Sequence, residues 1–176
     1  GSTIPIAVGA SWGLELQNKN NIVCVFFGDG ATEEGVFQES LNFASLHNLK
    51  ILFICENNFY SVYTNIKERR HKSFSLKKFV EAHAISYFDG DGNDGEEVYN
   101  KSKMAIDFIN NNNISVVIIF DTFRWLEHCG PNWDDYLKYR EENELSIWLK
   151  KDPIQIIKKN LLKYKDCLLY TSPSPR

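Results

Sequence analysis

Two runs of the chain, Ile22-Val23-Cys24-Val25-Phe26-Phe27 and Ile51-Leu52-Phe53-Ile54-Cys55, contain no charged residue and stop abruptly at polar turn formers. A strand wet on one face alternates apolar with polar residues. An unbroken apolar run instead predicts a strand covered on both faces, as in a parallel sheet flanked by helices. Between the two runs, Glu34 to His47 carries Val36, Phe37, Leu41, Phe43, Ala44 and Leu46 as an approximately helical stripe. Strand, helix and strand in this order make a βαβ unit with parallel strands. The expected fold class is α/β, a parallel sheet covered by helices on both faces.

The rest of the chain extends the alternation. Ile4 to Leu16 predicts a buried helix, and 59–73 an irregular polar loop. A short helix over Leu76 to His83, a turn-rich stretch from Asp89 to Gly95, a helix over Glu96 to Asn110 and a third apolar strand over Ser115 to Phe120 follow. Asn110 to Asn113 reads as a turn. Beyond Asp121 the pattern becomes a loop rich in Trp, His, Gly and Pro, then polar helices over Glu141 to Trp148 and Pro153 to Tyr164. We expect residues 1–166 to form one domain, and 167–176, ending Thr-Ser-Pro-Ser-Pro-Arg, to be a non-native or disordered tail. From an opening without Met that already reads as helix, we expect the chain to be a piece of a longer protein.

Composition removes several function classes. A formal net charge of −3 gives no basic excess for nucleic acid. No apolar run approaches the roughly 20 residues that span a bilayer, so no membrane role is expected. Cys24, Cys55, Cys129 and Cys167 form no CxxC pair, which argues against a zinc knuckle and for a reducing, cytoplasmic setting. Cys24 and Cys55 read as small core residues within their strands.

Chemistry concentrates at two strand ends. Gly28-Asp29-Gly30 closes the first apolar run and Asn57-Asn58 follows the second, with residues 31–56 between them. Ligand crevices of open parallel sheets lie outside the carboxyl ends of the strands, so both corners face one pocket. The glycines allow close backbone approach by a bulky anion, while the Asp29 carboxylate and an Asn oxygen suit a hard cation such as Mg²⁺ or Ca²⁺. Together they point to a metal-bound di- or triphosphate. Taken singly, each motif reads as an ordinary turn.

At this spacing the two motifs resemble the thiamine-diphosphate signature. The stretch GDGATEEGVFQESLNFASLHNLKILFICENNFYSVYT is similar to the alpha subunit of the 2-oxo acid dehydrogenases of pyruvate, branched-chain and acetoin type. The resemblance continues through Asp91-Gly92-Asn93-Asp94, Thr122-Phe123-Arg124, His128, Tyr139-Arg140 and Lys151-Asp152-Pro153-Ile154. It implies a thiamine-diphosphate-binding fold and a cofactor held through Mg²⁺. By position, Asp29 and Asn58 would ligate the metal by side-chain oxygens and Tyr60 by its main-chain carbonyl. Gly28, Gly30 and Ala31 belong to the diphosphate turn, Gly30 and Ala31 offering backbone N–H groups. Arg124 and the catalytic candidate His128 would lie on the loop that closes over the cofactor.

The resemblance further implies oxidative decarboxylation of a small 2-oxo acid and acyl transfer to lipoamide on a lipoyl-bearing acyltransferase. The activating Glu would come from a beta subunit, most simply in an α₂β₂ assembly. Two residues depart from the pattern: Leu126 replaces another His, and Cys129 stands where regulated members carry a phosphorylated Ser, so kinase control is not expected. The form Arg-Trp-Leu-Glu-His-Cys-Gly-Pro resembles bacterial dehydrogenase-like members. A transketolase-like or carboligating enzyme, or a catalytically silent assembly subunit, are the alternative readings.

Other features have plainer explanations. Adjacent His128 and Cys129 point apart in an extended loop and make a poor nucleophile and base pair. Glu33, Glu34 and Glu39 sit at and after a helix start, where they favour the helix dipole or face solvent. Lys67-Glu68-Arg69-Arg70-His71-Lys72 reads as a solvated loop that the resemblance brings near the cofactor.

Overall fold

The computed structural model describes residues 1–162. The expected tail, Cys167 and the end of the helix drawn to Tyr164 lie outside the described residues. Four parallel strands form the sheet: β1 (Val23–Gly28), β2 (Ile51–Asn57), β5 (Ser86–Asp91) and β6 (Val116–Asp121), in the spatial order β1-β2-β6-β5. Helix α2 (Gly35–Leu46) joins β1 to β2. The chain then passes the place of β6 to lay down β5, and α5 (Gly95–Asn112) returns it to fill the gap.

The sheet separates two cores. On one face, Ile4, Ala7 and Val8 of α1 (Thr3–Leu16) and Phe37, Leu41 and Ala44 of α2 pack on Val25, Phe27, Phe53 and Cys55. Val80 of α4 (Leu76–Glu81) closes that core beside Val117 and Ile119. On the other face, Ala105 and Ile109 of α5 cover Leu52, Ile54, Val116, Ile118 and Phe120. Residues of one strand alternate between the cores, as the two-residue period of a strand requires. Strands β2 and β6 are therefore buried on both faces, as their unbroken apolar runs predict.

Strand β1 is different. It is an edge strand, and among the described residues nothing covers the α5-side of it: Cys24 is exposed and Phe26 is 58% exposed. The expectation of a two-sided burial for β1, and of Cys24 as a core residue, is corrected accordingly. Helix α1 likewise buries one stripe only, leaving Ile6 and Leu16 open to solvent.

Strand β5 was not legible, because Ser86-Tyr87-Phe88-Asp89-Gly90-Asp91 carries only two apolar residues before running into the stretch from Asp89 that reads as a turn. The loop over 59–73 also proves partly regular. It contains a short antiparallel hairpin, β3 (Tyr60–Ser61) and β4 (Thr64–Asn65), and a single turn, α3 (Ile66–Arg69). Asn65 caps α3 by accepting from the Lys67 N–H at 2.9 Å. Asp94 caps α5 by accepting from Glu96 and Glu97 N–H at 3.0 and 3.2 Å. The asparagine run belongs mostly to α5, whose end is the left-handed Asn113 at φ 55°. Two short helices, α6 (Glu144–Leu149) and α7 (Pro153–Leu161), complete the described chain. No helix among the described residues is long and apolar enough to cross a membrane.

Candidate functional site

Parallel pairing brings the two motifs to the same level. Gly28 pairs with Glu56, so the chain leaves β1 at Asp29 beside the point where β2 runs out into Asn57 and Asn58. Asp29 then opens a tight 3-10 turn (Asp29–Glu33), in which the Thr32 hydroxyl donates to the Asp29 carbonyl at 2.6 Å. This turn aims the Asp29 side chain inward, and it is 2% exposed.

One oxygen of that carboxylate, Oδ1, is buried with no hydrogen-bond partner among the described residues. A buried ionised oxygen without a donor is costly unless a cation completes it. The other oxygen, Oδ2, accepts from Arg69 Nη2. Asn58 lies half-buried in the adjacent corner, its Oδ1 accepting from the Tyr60 N–H at 3.0 Å, a bond that fixes the following hairpin. Gly30 matters for closeness of approach. A Cβ built there would lie 2.8 Å from Ser61 Oγ and 3.1 Å from Ser61 Cβ, so only a residue without a side chain lets the turn and hairpin meet. Gly28 and Ala31 flank this contact, Ala31 half-buried against the first core.

Tyr60 is 5% exposed. Its hydroxyl donates to Glu144 of α6 at 2.7 Å, and its ring meets Tyr139 edge-on at 5.4 Å. Burial first, and then the bond to Glu144, pushes the phenol up to about 12. Tyr60 thus ties the hairpin to the segment that follows β6.

Arg124 heads that segment and organises it. Its Nη2 donates to Val62 carbonyl at 2.7 Å and to Tyr139 hydroxyl at 3.0 Å, and its Nε donates to Leu126 carbonyl at 3.1 Å. Buried Asp134 lies 3.7 Å from it and 2.8 Å from Arg140 Nη1. His128 and Cys129 project from the same loop and are exposed. The structure therefore gathers Gly28, Asp29, Gly30, Ala31, Asn58 and Tyr60 at one corner. Arg124 is linked to that corner through Val62, while His128 stays at the surface of the loop.

Sequence reasoning missed the two arginines that meet the Asp29 turn. Arg69 and Arg70 are not solvated: their side chains are 10% and 13% exposed. Arg69 Nη1 reaches Glu33 at 2.5 Å, and its Nε donates to Thr64 carbonyl at 3.1 Å. Arg70 donates to Glu33 at 2.7 Å, to the Asp29 carbonyl at 3.0 Å and to the Thr32 hydroxyl. Burial works against the Arg69 charge, but the bonds to Glu33 and Asp29 outweigh it, and its pKa is raised. The available signal was the basic cluster itself, whose acidic partners lie too far away in sequence to be paired by inspection.

Beyond the arginines, a cleft of about 580 Å³ opens at the carboxyl ends of β2, β6 and β5, lined by Asn57, Phe59, Arg70, Asp89 and Asp121 among others. Burial, opposed by the Asn57 hydrogen bond, raises the Asp121 carboxyl, and Asp89 and Asp91 push it the same way. Asp29 and Asn58 do not line this cleft; they sit at the neighbouring corner, where an incompletely paired carboxylate between two glycines suits a cation that carries an anion.

The family model for the dehydrogenase E1 component matches residues 1–166. The chain belongs to the dehydrogenase E1 component family. Among curated E1 relatives, it is 33% identical over 165 residues to the pyruvate dehydrogenase E1 component subunit alpha of Rickettsia felis, covering 94% of this chain and 49% of that protein. It is 32% identical over 157 residues to a mitochondrial 2-oxoisovalerate dehydrogenase subunit alpha of Arabidopsis thaliana, covering 89% and 33%. This E1 chain therefore spans about half the length, or less, of the curated relatives it matches. Solved structures show the same fold. A transketolase from Campylobacter jejuni superposes with a TM-score of 0.56 at 22% identity, covering 67% of this chain and 19% of that one. A thiamin diphosphate-dependent enzyme from Mycobacterium smegmatis, itself of unproven activity, superposes at 0.53 and 16% identity, covering 69% and 22%.

Proposed function

We propose that this chain is the cofactor-binding part of an alpha subunit of a thiamine-diphosphate-dependent 2-oxo acid dehydrogenase. The observation that carries the reading is the buried Asp29 carboxylate with its unpartnered oxygen, set between two glycines at a strand end beside Asn58. The relatives named as pyruvate and 2-oxoisovalerate dehydrogenase alpha subunits support the substrate class.

In this reading Asp29 and Asn58 hold Mg²⁺ through their side chains and Tyr60 through its carbonyl. Gly28, Gly30 and Ala31 shape a turn whose N–H groups meet the diphosphate. When bound, thiamine diphosphate supplies the electron sink that lets a 2-oxo acid lose carbon dioxide. The chain's own residues position and neutralise the cofactor's charged half. Arg124 orders the loop after β6, on which His128 would meet the diphosphate and assist acyl transfer. A beta subunit supplies the remaining half of the site in an α₂β₂ assembly, and a lipoyl-bearing acyltransferase accepts the acyl group. Residues 1–166 form the cofactor domain of a cytoplasmic enzyme.

Thermal unfolding with and without thiamine diphosphate plus Mg²⁺ tests this. A ligand at about a hundred times its Kd stabilises by about 2.7 kcal/mol, which raises Tm by about 5–11 °C for a domain of this size. The rise should require Mg²⁺ and vanish in Asp29→Ala. No rise at millimolar cofactor in the complete alpha and beta pair refutes the assignment. If the rise is present, release of carbon dioxide from pyruvate and from 2-oxoisovalerate by that pair separates the two substrate types.

A further inference from the structure

We infer that Arg69 is a built-in stand-in for the cofactor's cation, locking the hairpin over the Asp29 turn until the metal and diphosphate displace it. This rests on the reading that the corner binds Mg²⁺ and thiamine diphosphate, and adds how access to that site is controlled.

Three contacts converge on the lock. The Arg69 guanidinium pairs with Asp29 Oδ2 and, at 2.5 Å, with Glu33. Ser61, on the hairpin that leads into the arginines, stands against the backbone of Gly30. Arg70 grips the same turn through the Asp29 carbonyl and Thr32. Two arginines thus balance the two carboxylates of the turn, Asp29 and Glu33.

A cation added to this arrangement competes with Arg69 for one carboxylate. Mg²⁺ requires ligand oxygens at about 2.0–2.1 Å in a near-octahedral shell. Bound to Asp29 Oδ1, it would share one carboxylate with a guanidinium that is largely removed from water, where like charges repel with little screening. Ser61 meanwhile covers the Gly30 backbone. Both obstacles belong to one segment, 61–70, so release of Arg69 and withdrawal of the Ser61 side chain from the Gly30 backbone are one event, while Tyr60 keeps its place at the corner. The segment is pinned from its other side by Tyr60 to Glu144, Lys67 to Glu141 and Arg124 to the Val62 carbonyl. The loop after β6, which carries His128, is thereby coupled to the same event. A ligand whose binding requires a contact to break binds more weakly by the free energy of that contact.

The test measures cation affinity rather than turnover. Mn²⁺ is titrated into the full chain at saturating thiamine diphosphate, with free Mn²⁺ followed by electron paramagnetic resonance. The variants are Arg69→Met, which removes the competing charge, and Glu33→Gln, which weakens an anchor of both arginines while its amide oxygen still accepts from them; urea unfolding of each variant checks that it is folded before titration. Arg69→Met should tighten Mn²⁺ binding at least tenfold. Glu33→Gln should tighten it several-fold, although losing a negative charge would by itself weaken attraction of a cation. Arg69→Lys keeps the charge and should stay within about threefold of the unmodified chain. Unchanged or weaker binding in both Arg69→Met and Glu33→Gln overturns the inference while leaving the cofactor reading standing. Absence of Mn²⁺ binding in the unmodified chain and in Arg69→Met alike overturns both.

Discussion

Replacing Asp134 by Ala measures how firmly the segment after β6 is held. Asp134 is 1% exposed; it lies 2.8 Å from Arg140 Nη1, accepts the Tyr139 hydroxyl at 2.5 Å and sits 3.7 Å from Arg124. Removing one partner of a buried ion pair costs about 3–5 kcal/mol, because the other charge is left uncompensated. Here the charges keep other acceptors. Arg140 retains Asp135 at 2.9 Å and the Arg124 carbonyl at 2.8 Å, and Arg124 retains the carbonyls of Val62 and Leu126. The low end applies, about 3 kcal/mol. At about 1.4 kcal/mol per decade this is about a hundredfold in the unfolding equilibrium, and about 6–12 °C in Tm. Urea unfolding followed by tryptophan fluorescence is the assay, since Trp125 and Trp148 both contact the Phe123 ring in this segment. The midpoint should fall with an unchanged slope, and Asp134→Asn, which still accepts from Tyr139, should fall between Ala and the unmodified chain. A loss under about 1 kcal/mol would refute the argument, and would assign the anchoring to the Phe123 and Trp148 stack instead.

Alkaline pH should loosen the same region. Burial is the leading cause that raises Tyr60, Tyr87 and Tyr139 from 10.0 to about 12, assisted by Glu144 at Tyr60, Asp89 at Tyr87 and Asp134 at Tyr139. The unfolded chain therefore loses these protons first; stability is fully present below about pH 10 and falls as pH rises towards 12. Urea midpoints between pH 9 and 12 should trace this decline, and Tyr60→Phe with Tyr139→Phe should flatten it; an unchanged slope in the double variant would count against it. Thiol labelling checks the two-core topology independently. Exposed Cys24 and Cys129 should react with a disulfide reagent in the folded chain, whereas buried Cys55, whose thiol burial pushes strongly upward, should react only on unfolding. Equal protection of Cys24 and Cys55 would mean that the α5-side of β1 is covered.

The parts of the fold legible in the sequence were those whose signal is local. β2 and β6 announce themselves because both faces are buried and no polar residue interrupts them. β1 shows the same pattern yet keeps Phe26 58% exposed, since apolar character records what a face is suited to meet rather than what lies against it in 162 described residues. β5 escaped notice for the opposite reason. It ends in Asp89-Gly90-Asp91, residues that favour turns, and is held as a strand by its ladder to β6, in which Tyr87 meets Val117 and Asp91 meets Asp121.

The corner itself was legible because two local motifs end adjacent strands, and pairing of Gly28 with Glu56 needs no information beyond the βαβ unit. Its arginines were not, because a salt bridge across 40 residues leaves no periodicity behind. Composition nevertheless bounded the outcome. A carboxylate as deeply buried as Asp29 must meet a positive charge, and the nearby basic cluster provides the chain's own source of one. A site for an external cation carries a negative charge that must be compensated in its absence, and the Arg69 guanidinium on the wall of the site does so here. The same argument makes the conformation of segment 61–70 depend on ligand, and makes Arg69 a residue through which cofactor affinity changes without altering any ligating atom.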